Sequence, residues 1–194
     1  MNVGKNKMKS EKLFHKIRER RERNMSHKIY IGIDNGVTGT IGWVGENLCP
    51  GIEETPVKEE QSYTKSKKKI HRIDYPRLLE LLEDVQGDAE STECLVVIER
   101  PMINHMRFQA SVSAARSLES TLIAVEQLGF PRIYVDSRKW QKMLLPQGCK
   151  GSELKKASMD IGCRLYPGVP AEIIRNHKDA DALLIAEWAR REKL

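Results

Sequence analysis

The chain has few cysteines and no long hydrophobic run, and each absence excludes a class of protein. Its 194 residues include four cysteines, and none of them lies in a C-x-x-C pair, so we expect no structural zinc site. No apolar stretch approaches the roughly 20 residues that span a membrane, and no apolar signal-peptide core is present. Scattered cysteines in a chain of this length are typical of a reduced compartment. We therefore expect an intracellular protein.

Positive charge is concentrated at the N-terminus. Residues 1–24 contain nine lysines and arginines against three glutamates, an excess of +6 that equals the formal net charge of the whole chain. Residues 25–194 are neutral in sum, and their number suits one domain. We predict a basic arm over residues 1–24 and a single domain over residues 25–194. The arm is either a contact for a polyanion or a solvated leader without order.

Hydrophobic patterning predicts strands that alternate with helices. Apolar runs and glycine-rich turns predict strands over residues 28–34, 40–44, 54–60, 94–98 and 132–136, with a charged loop over 61–72. Apolar residues at steps of three and four predict helices after Asp74, over 112–125, from Ser137 to Leu145, over 152–165 and over 178–192. This order predicts an α/β fold with a mixed five-stranded sheet and helices on both faces.

Acidic residues stand at the ends of two predicted strands and near the start of the last helix. Asp34 ends the first strand, Glu99 ends the central strand, and Asp181 begins the helix. Each acid alone has an ordinary explanation, such as capping a turn or pairing with a neighbouring cation. Open α/β sheets, however, place ligand sites at strand carboxyl ends, and carboxylates that meet there repel one another unless cations separate them. Mg²⁺ takes such oxygen ligands, and two ions can drive phosphodiester cleavage.

The identity of a fourth ligand depends on how the last helix is phased. If helical structure begins by His177, that side chain shares a helix face with Asp181 four residues later. Asp179 would then lie about 200° from Asp181 around the helix axis. This geometry favours His177 as the fourth ligand and leaves Asp179 as the reserve candidate.

Four segments together resemble the RuvC-like Holliday junction resolvases, most closely the phage-type branch. They are IGIDNGVTG, VVIERPM, the helix after it, and HKDADALLIAEW, in the family's order over about residues 28–190. The resemblance implies an RNase H-like fold and a homodimer that nicks four-way DNA junctions symmetrically. It also implies Mg²⁺ or Mn²⁺ as cofactor, with two ions per site, and the cytoplasm of a bacterium or a phage-infected host cell.

The resemblance also implies which residues of this chain correspond to the family's catalytic acids. Asp34 and Glu99 match the family's first two acids, and Asp181 matches the acid of the C-terminal motif. The family's fourth ligand, Asp or His, precedes that acid by three or four positions. Here those positions hold Lys178, which binds no metal, and His177, which can. The catalytic and metal-binding set is therefore predicted as Asp34, Glu99, His177 and Asp181.

Basic residues outside the arm are the predicted DNA contacts, because phosphate binding needs lysine and arginine spread over a surface. The candidates are Lys67, Lys68, Lys69, Arg107, Arg116 and Lys155. Phe108 and Trp140 are either stacking platforms for unpaired bases or ordinary packing residues.

Three other functions compete with junction resolution. The sequence DNGVTG is similar to the phosphate loop of actin-like kinases, but those proteins need two such domains and a second glycine-rich motif. Another RNase H-fold nuclease, acting on RNA or on other branched DNA, would share the acids. A junction-binding protein that has lost cleavage would have lost some of them, and Asp34, Glu99 and Asp181 are all present.

Overall fold

The structure is a computed structural model that describes residues 29–63, 65, 68–169 and 171–194. The predicted basic arm and the candidate Lys67 lie outside the described residues. The strands are β1 (Ile29–Ile33), β2 (Thr40–Gly45), β3 (Gly51–Glu54), β4 (Val57–Gln61), β5 (Lys69–Ile73), β6 (Cys94–Glu99) and β7 (Arg132–Val135). The α-helices are α1 (Tyr75–Gln86), α2 (Phe108–Gln127), α3 (Ser137–Leu144), α4 (Ser152–Leu165), α5 (Ala171–His177) and α6 (Asp181–Glu192).

Five of these strands form one mixed sheet in the order β3-β2-β1-β6-β7. Strand β1 pairs antiparallel with β2 and parallel with β6, and β6 pairs parallel with β7. All five residues of β1 are buried, as its unbroken apolar run requires for a central strand. The predicted mixed five-stranded sheet is confirmed.

Alternate residues of the central strands divide the core into two layers. Ile31 of β1 packs on the side of α1 and α2, and Tyr30 packs on the side of α3 to α6. Helices therefore cover both faces of the sheet, as predicted. Within the described residues, no helix combines the length and hydropathy that crossing a bilayer requires.

Helix α6 approaches β1 and β2 closely at two glycines. A Cβ atom at Gly32 would lie 2.1 Å from the backbone oxygen of Ala182, and one at Gly42 would lie 2.4 Å from the backbone nitrogen of Leu183. Both distances are far inside van der Waals contact, so residues 32 and 42 must lack a side chain for α6 to occupy this position.

Two strand predictions are corrected by the structure. The third strand of the sheet is β3, at Gly51–Glu54, rather than residues 54–60. The predicted strand over 54–60 overlaps β4, which pairs with β5 in a separate antiparallel hairpin, and β5 lies where a charged loop was predicted. Cross-strand ion pairs run along this hairpin, at 3.0 Å for Lys69–Glu59 and 2.6 Å for Arg72–Glu60. Such pairs stabilise two solvent-exposed strands whose residues do not alternate between apolar and polar. Hydrophobic patterning therefore does not predict this hairpin.

The helix predicted over residues 178–192 is also corrected. Helix α5 ends at His177, Lys178 adopts a left-handed conformation with φ 64°, and α6 begins at Asp181. A left-handed residue interrupts a right-handed helix, so His177 and Asp181 belong to different helices. The premise that placed them on one helix face is wrong.

Substituting Gly42 tests the close approach of α6. Gly42→Ala should lower the free energy of unfolding by about 3 kcal/mol, because the new methyl group overlaps backbone atoms that cannot rotate away. Gly168→Ala is the matched control, since a Cβ atom there meets nothing within 4 Å. Urea unfolding followed by circular dichroism measures both. Equal midpoints for the two variants would contradict the close approach.

Candidate active site

The register of two parallel strands places Asp34 beside Glu99. Ile33 of β1 pairs with Ile98 of β6, so the next residue on each strand meets the other at the carboxyl edge of the sheet. Side chains alternate along a strand. Asp34 therefore faces the same side as Tyr30, and Glu99 the same side as Leu95, which is the side covered by α6. The sequence-predicted pairing of these two strand-end acids is present.

The start of α6 brings Asp179 and Asp181 to the same edge. The pKa of Asp34 is raised to about 7, first by burial and then by the charges of Glu99 and Asp179, against a lowering by Lys155. Burial also raises the pKa of Asp181 to about 7, with added repulsion from Asp179 and Asp34. The three buried carboxyls of Asp34, Asp179 and Asp181 thus act on one another electrostatically.

Glu99 belongs to the same electrostatic cluster. Its pKa is raised to about 7, mainly by burial and also by the charges of Asp181, Asp136 and Asp179, against a lowering by the hydrogen bond from Trp140. Asp179 therefore adds to the raised pKa of Asp34, Glu99 and Asp181 alike. We call Asp34, Glu99, Asp179 and Asp181 the acidic site.

Two fully buried side chains fix the orientation of two of these carboxylates. The indole Nε1 of Trp140, on α3, donates a hydrogen bond of 2.7 Å to Glu99 Oε2. Ser158, on α4, donates its hydroxyl proton to Asp181 and accepts the backbone N–H of Ala180 at 3.0 Å. Sequence patterning gave no signal for either role. Trp140, one of the two candidate stacking aromatics, is 0% exposed and so packs inside the protein.

The predicted fourth ligand, His177, has a different neighbour. Its Nδ1 lies 3.5 Å from Oε1 of Glu54, at the end of β3. The reserve candidate Asp179 is 6% exposed and sits with the other acids. The two residues exchange places relative to expectation because the chain turns at Lys178 instead of continuing one helix through His177.

The predicted DNA contacts fall in three places. Lys68 and Lys69 are exposed on the β4–β5 hairpin, and Arg107 is exposed just before α2. Arg116 lies half-buried on α2 with its guanidinium 5.5 Å from the ring centroid of Tyr63. Lys155 instead reaches into the acidic site, where its Nζ lies 3.2 Å from Asp179 Oδ2. Phe108, the other candidate stacking aromatic, is exposed.

The donor chemistry of the acidic site fits a hard divalent cation. Among the residues that the structure describes, no three histidine, cysteine, aspartate or glutamate side chains form a ready-made metal site. Mg²⁺ does not need one, because it keeps several waters and binds through one or two carboxylates together with substrate phosphate. Burial and neighbouring carboxylates raise the pKa of Asp34, Glu99 and Asp181, and Lys155 contacts Asp179, so this is a region where added positive charge is stabilising.

The architecture defines a RuvC-like fold of the RNase H type. Thermus thermophilus RuvC in complex with a Holliday junction substrate matches with a TM-score of 0.54 and 18% identity, covering 86% of this chain and 96% of that one. A second Thermus thermophilus RuvC structure matches with a TM-score of 0.48 and 14% identity, covering 84% and 96%. No protein-family model and no curated protein matches the chain. The predicted fold class is confirmed, and the phage-type branch stays a prediction.

Stability against pH tests the electrostatics of the acidic site. The pKa of Asp34 is about 7 in the folded protein, above its ordinary value near 4. The folded state therefore holds a proton that the unfolded state releases, and this group's contribution to stability falls as pH rises from about 4 to 7. In metal-free buffer, Asp34→Asn should therefore raise the melting temperature by clearly more at pH 8 than at pH 5.

The matched control is Asp160→Asn, which removes an exposed carboxylate from α4. Its effect on the melting temperature should be small and similar at both pH values. Thermal unfolding in the presence of a chelator measures both variants. If Asp34→Asn melts at pH 8 at or below the temperature of the unsubstituted protein, the raised pKa of Asp34 in the folded state is contradicted.

Proposed function

We propose that the protein is a metal-dependent, structure-specific endodeoxyribonuclease that resolves four-way DNA junctions by paired symmetric nicks. The observation that carries the proposal is the convergence of Asp34, Glu99, Asp179 and Asp181 on one sheet edge, with raised pKa values for three of them. The fold supports it, since Thermus thermophilus RuvC shares the fold and is described in complex with a Holliday junction substrate.

The acidic site has the parts that phosphodiester hydrolysis requires. Asp34, Glu99 and Asp181, with Asp179 as the fourth acid, would hold two Mg²⁺ or Mn²⁺ ions. Such ions supply an activated water and stabilise the leaving oxygen. Trp140 and Ser158 hold the carboxylates of Glu99 and Asp181 in fixed orientations, so little reorganisation is needed when substrate arrives.

Lys155 supplies positive charge at the same place. Its side chain is 63% exposed while its Nζ contacts the buried carboxylate of Asp179. A flexible ammonium group at the boundary between the acids and solvent can contact a DNA phosphate without leaving the site. This position differs from the extended surface on which the sequence placed Lys155, but it preserves a role in DNA binding.

A homodimer would supply two active sites to a substrate with two equivalent strands. Four large apolar side chains are exposed in the segment after Glu99 and at the start of α2: Met102, Ile103, Met106 and Phe108. Exposed apolar clusters of this kind are typical of interaction surfaces. An isologous contact between two copies through this patch would relate the two acidic sites by a two-fold axis.

Nicking assays on synthetic four-way junctions test the proposed function. Asp34→Asn, Glu99→Gln and Asp181→Asn should each reduce nicking by at least about 100-fold, because each removes a charged ligand. Junction binding should persist, since basic residues provide it. Asp160→Asn should nick at the unsubstituted rate.

The same assay separates the competing functions. Mg²⁺-dependent cleavage of an RNA–DNA hybrid in preference to the junction would assign the protein to another class of RNase H-fold nuclease. Tight junction binding without nicking in either Mg²⁺ or Mn²⁺ would overturn the proposal in favour of a binding protein.

A paired substitution identifies the fourth ligand. Because Asp179 lies among the other acids and His177 contacts Glu54, Asp179→Asn should lose most nicking and His177→Ala should retain most of it. Rates are compared on one junction at fixed Mg²⁺ concentration. An inactive His177→Ala beside an active Asp179→Asn would restore the assignment made from the sequence.

A further inference from the structure

A groove separates α2 from the β4–β5 hairpin, on the face of the sheet opposite to α6. Its volume is about 440 Å³, and it runs from Val37, three residues after Asp34, along α2 to Ile123. The amide Nδ2 of Asn35 donates a hydrogen bond of 3.1 Å to the backbone oxygen of Ala114, which ties the turn after Asp34 to α2. The turn after Asp34 therefore connects the strand that carries this acid with the helix that lines the groove.

One wall of the groove is a polar stripe of α2. Ser113, Ser117 and Ser120 follow one another at steps of four and three residues, so they share a helix face, and Arg116 lies among them. The Nε atom of Arg116 is buried and has no hydrogen-bond partner among the described residues. A buried N–H without a partner is costly, so this donor favours a ligand with an acceptor oxygen.

The other wall is formed by the hairpin and carries an aromatic ring. Tyr63 is 69% exposed, and its ring lies 5.5 Å from the guanidinium carbon of Arg116. Glu60 and the exposed Glu119 also line the groove, and Arg72 at 2.6 Å and Lys58 at 3.1 Å neutralise Glu60. The exposed Lys65, Lys68 and Lys69 place positive charge on the same hairpin.

We propose that this groove binds one unpaired nucleotide of a DNA strand. Its base stacks on Tyr63, and the half-buried guanidinium of Arg116 contacts its phosphate. The volume is in the range of small-ligand sites, and aromatic rings with arginine are the usual platform for single-stranded nucleic acid. A base inside a duplex has both faces covered, so Tyr63 selects a base that has left the stack. This inference rests on the proposed function in taking DNA as the ligand.

Binding of a single strand in metal-free buffer tests the groove apart from cleavage. The probe is a short single-stranded oligonucleotide with 2-aminopurine at one central position, whose fluorescence falls when the base stacks. Tyr63→Ala should weaken binding about tenfold and abolish the fluorescence change, and Tyr63→Phe, which keeps the ring, should retain both.

Arg116 is tested against an arginine elsewhere. Arg116→Ala should weaken binding about tenfold, whereas Arg132→Ala, at the start of β7, removes the same charge and should leave the fluorescence change intact. Circular dichroism checks that Arg116→Ala is folded, and Tyr63→Ala carries the test if it is not. If Tyr63→Ala binds the oligonucleotide with unchanged affinity and an unchanged fluorescence change, the proposal that the groove binds a nucleotide is wrong.

The two proposals fail in different ways. If the protein nicks junctions but Tyr63→Ala and Tyr63→Phe bind the oligonucleotide equally well, the groove proposal is wrong and the nuclease stands. If Tyr63→Ala loses oligonucleotide binding but the unsubstituted protein nicks no junction with either Mg²⁺ or Mn²⁺, the groove proposal is supported and the nuclease proposal is wrong.

Discussion

Helix α6 lies directly on the backbone of β1 and β2, and the position of every acid in the site depends on this contact. Gly32 and Gly42 leave no Cβ atom between the strands and the helix, and Ala182 and Ala186 present the smallest side chains from the other side. The first turn of α6 is thereby held over the carboxyl ends of the central strands. Larger residues at these positions would lift α6 away and separate Asp181 from Asp34.

Close packing at this edge collects like charges in a region with little water. Burial is the largest cause of the raised pKa values of Asp34, Glu99 and Asp181, and mutual repulsion adds to it. An arrangement of this kind costs stability in the absence of cations, and proteins retain such costs at functional sites. By contrast, the buried carboxylate of Glu187, further along α6, is satisfied by Arg190, Arg191 and Tyr166, and its pKa is lowered. The contrast distinguishes a structural buried acid from the acidic site.

Hydrophobic patterning predicts most of the sheet, and the elements that it does not predict have physical explanations. The runs at residues 28–34 and 94–98 predict central strands because such strands are buried on both faces. The same method predicts a strand near β4 but not β5 or their pairing, because ion pairs such as Arg72–Glu60, rather than an apolar face, hold the two strands together. The break between α5 and α6 escapes it because the left-handed turn at Lys178 uses a residue type with no preference for that conformation.

The sequence by itself determined the strand-end acids and the sheet that carries them. Asp34 and Glu99 end two apolar runs, and the parallel register of those runs brings the acids together with few other requirements. The tertiary structure alone decided that Asp179 rather than His177 lies among them, that Trp140 orients Glu99 from inside the core, and that Lys155 reaches Asp179. Trp140 and Glu99 are 41 residues apart, and Lys155 and Asp179 are 24 apart. Local pattern and helical phase describe neighbours along the chain, whereas these contacts arise because separate helices pack on one sheet.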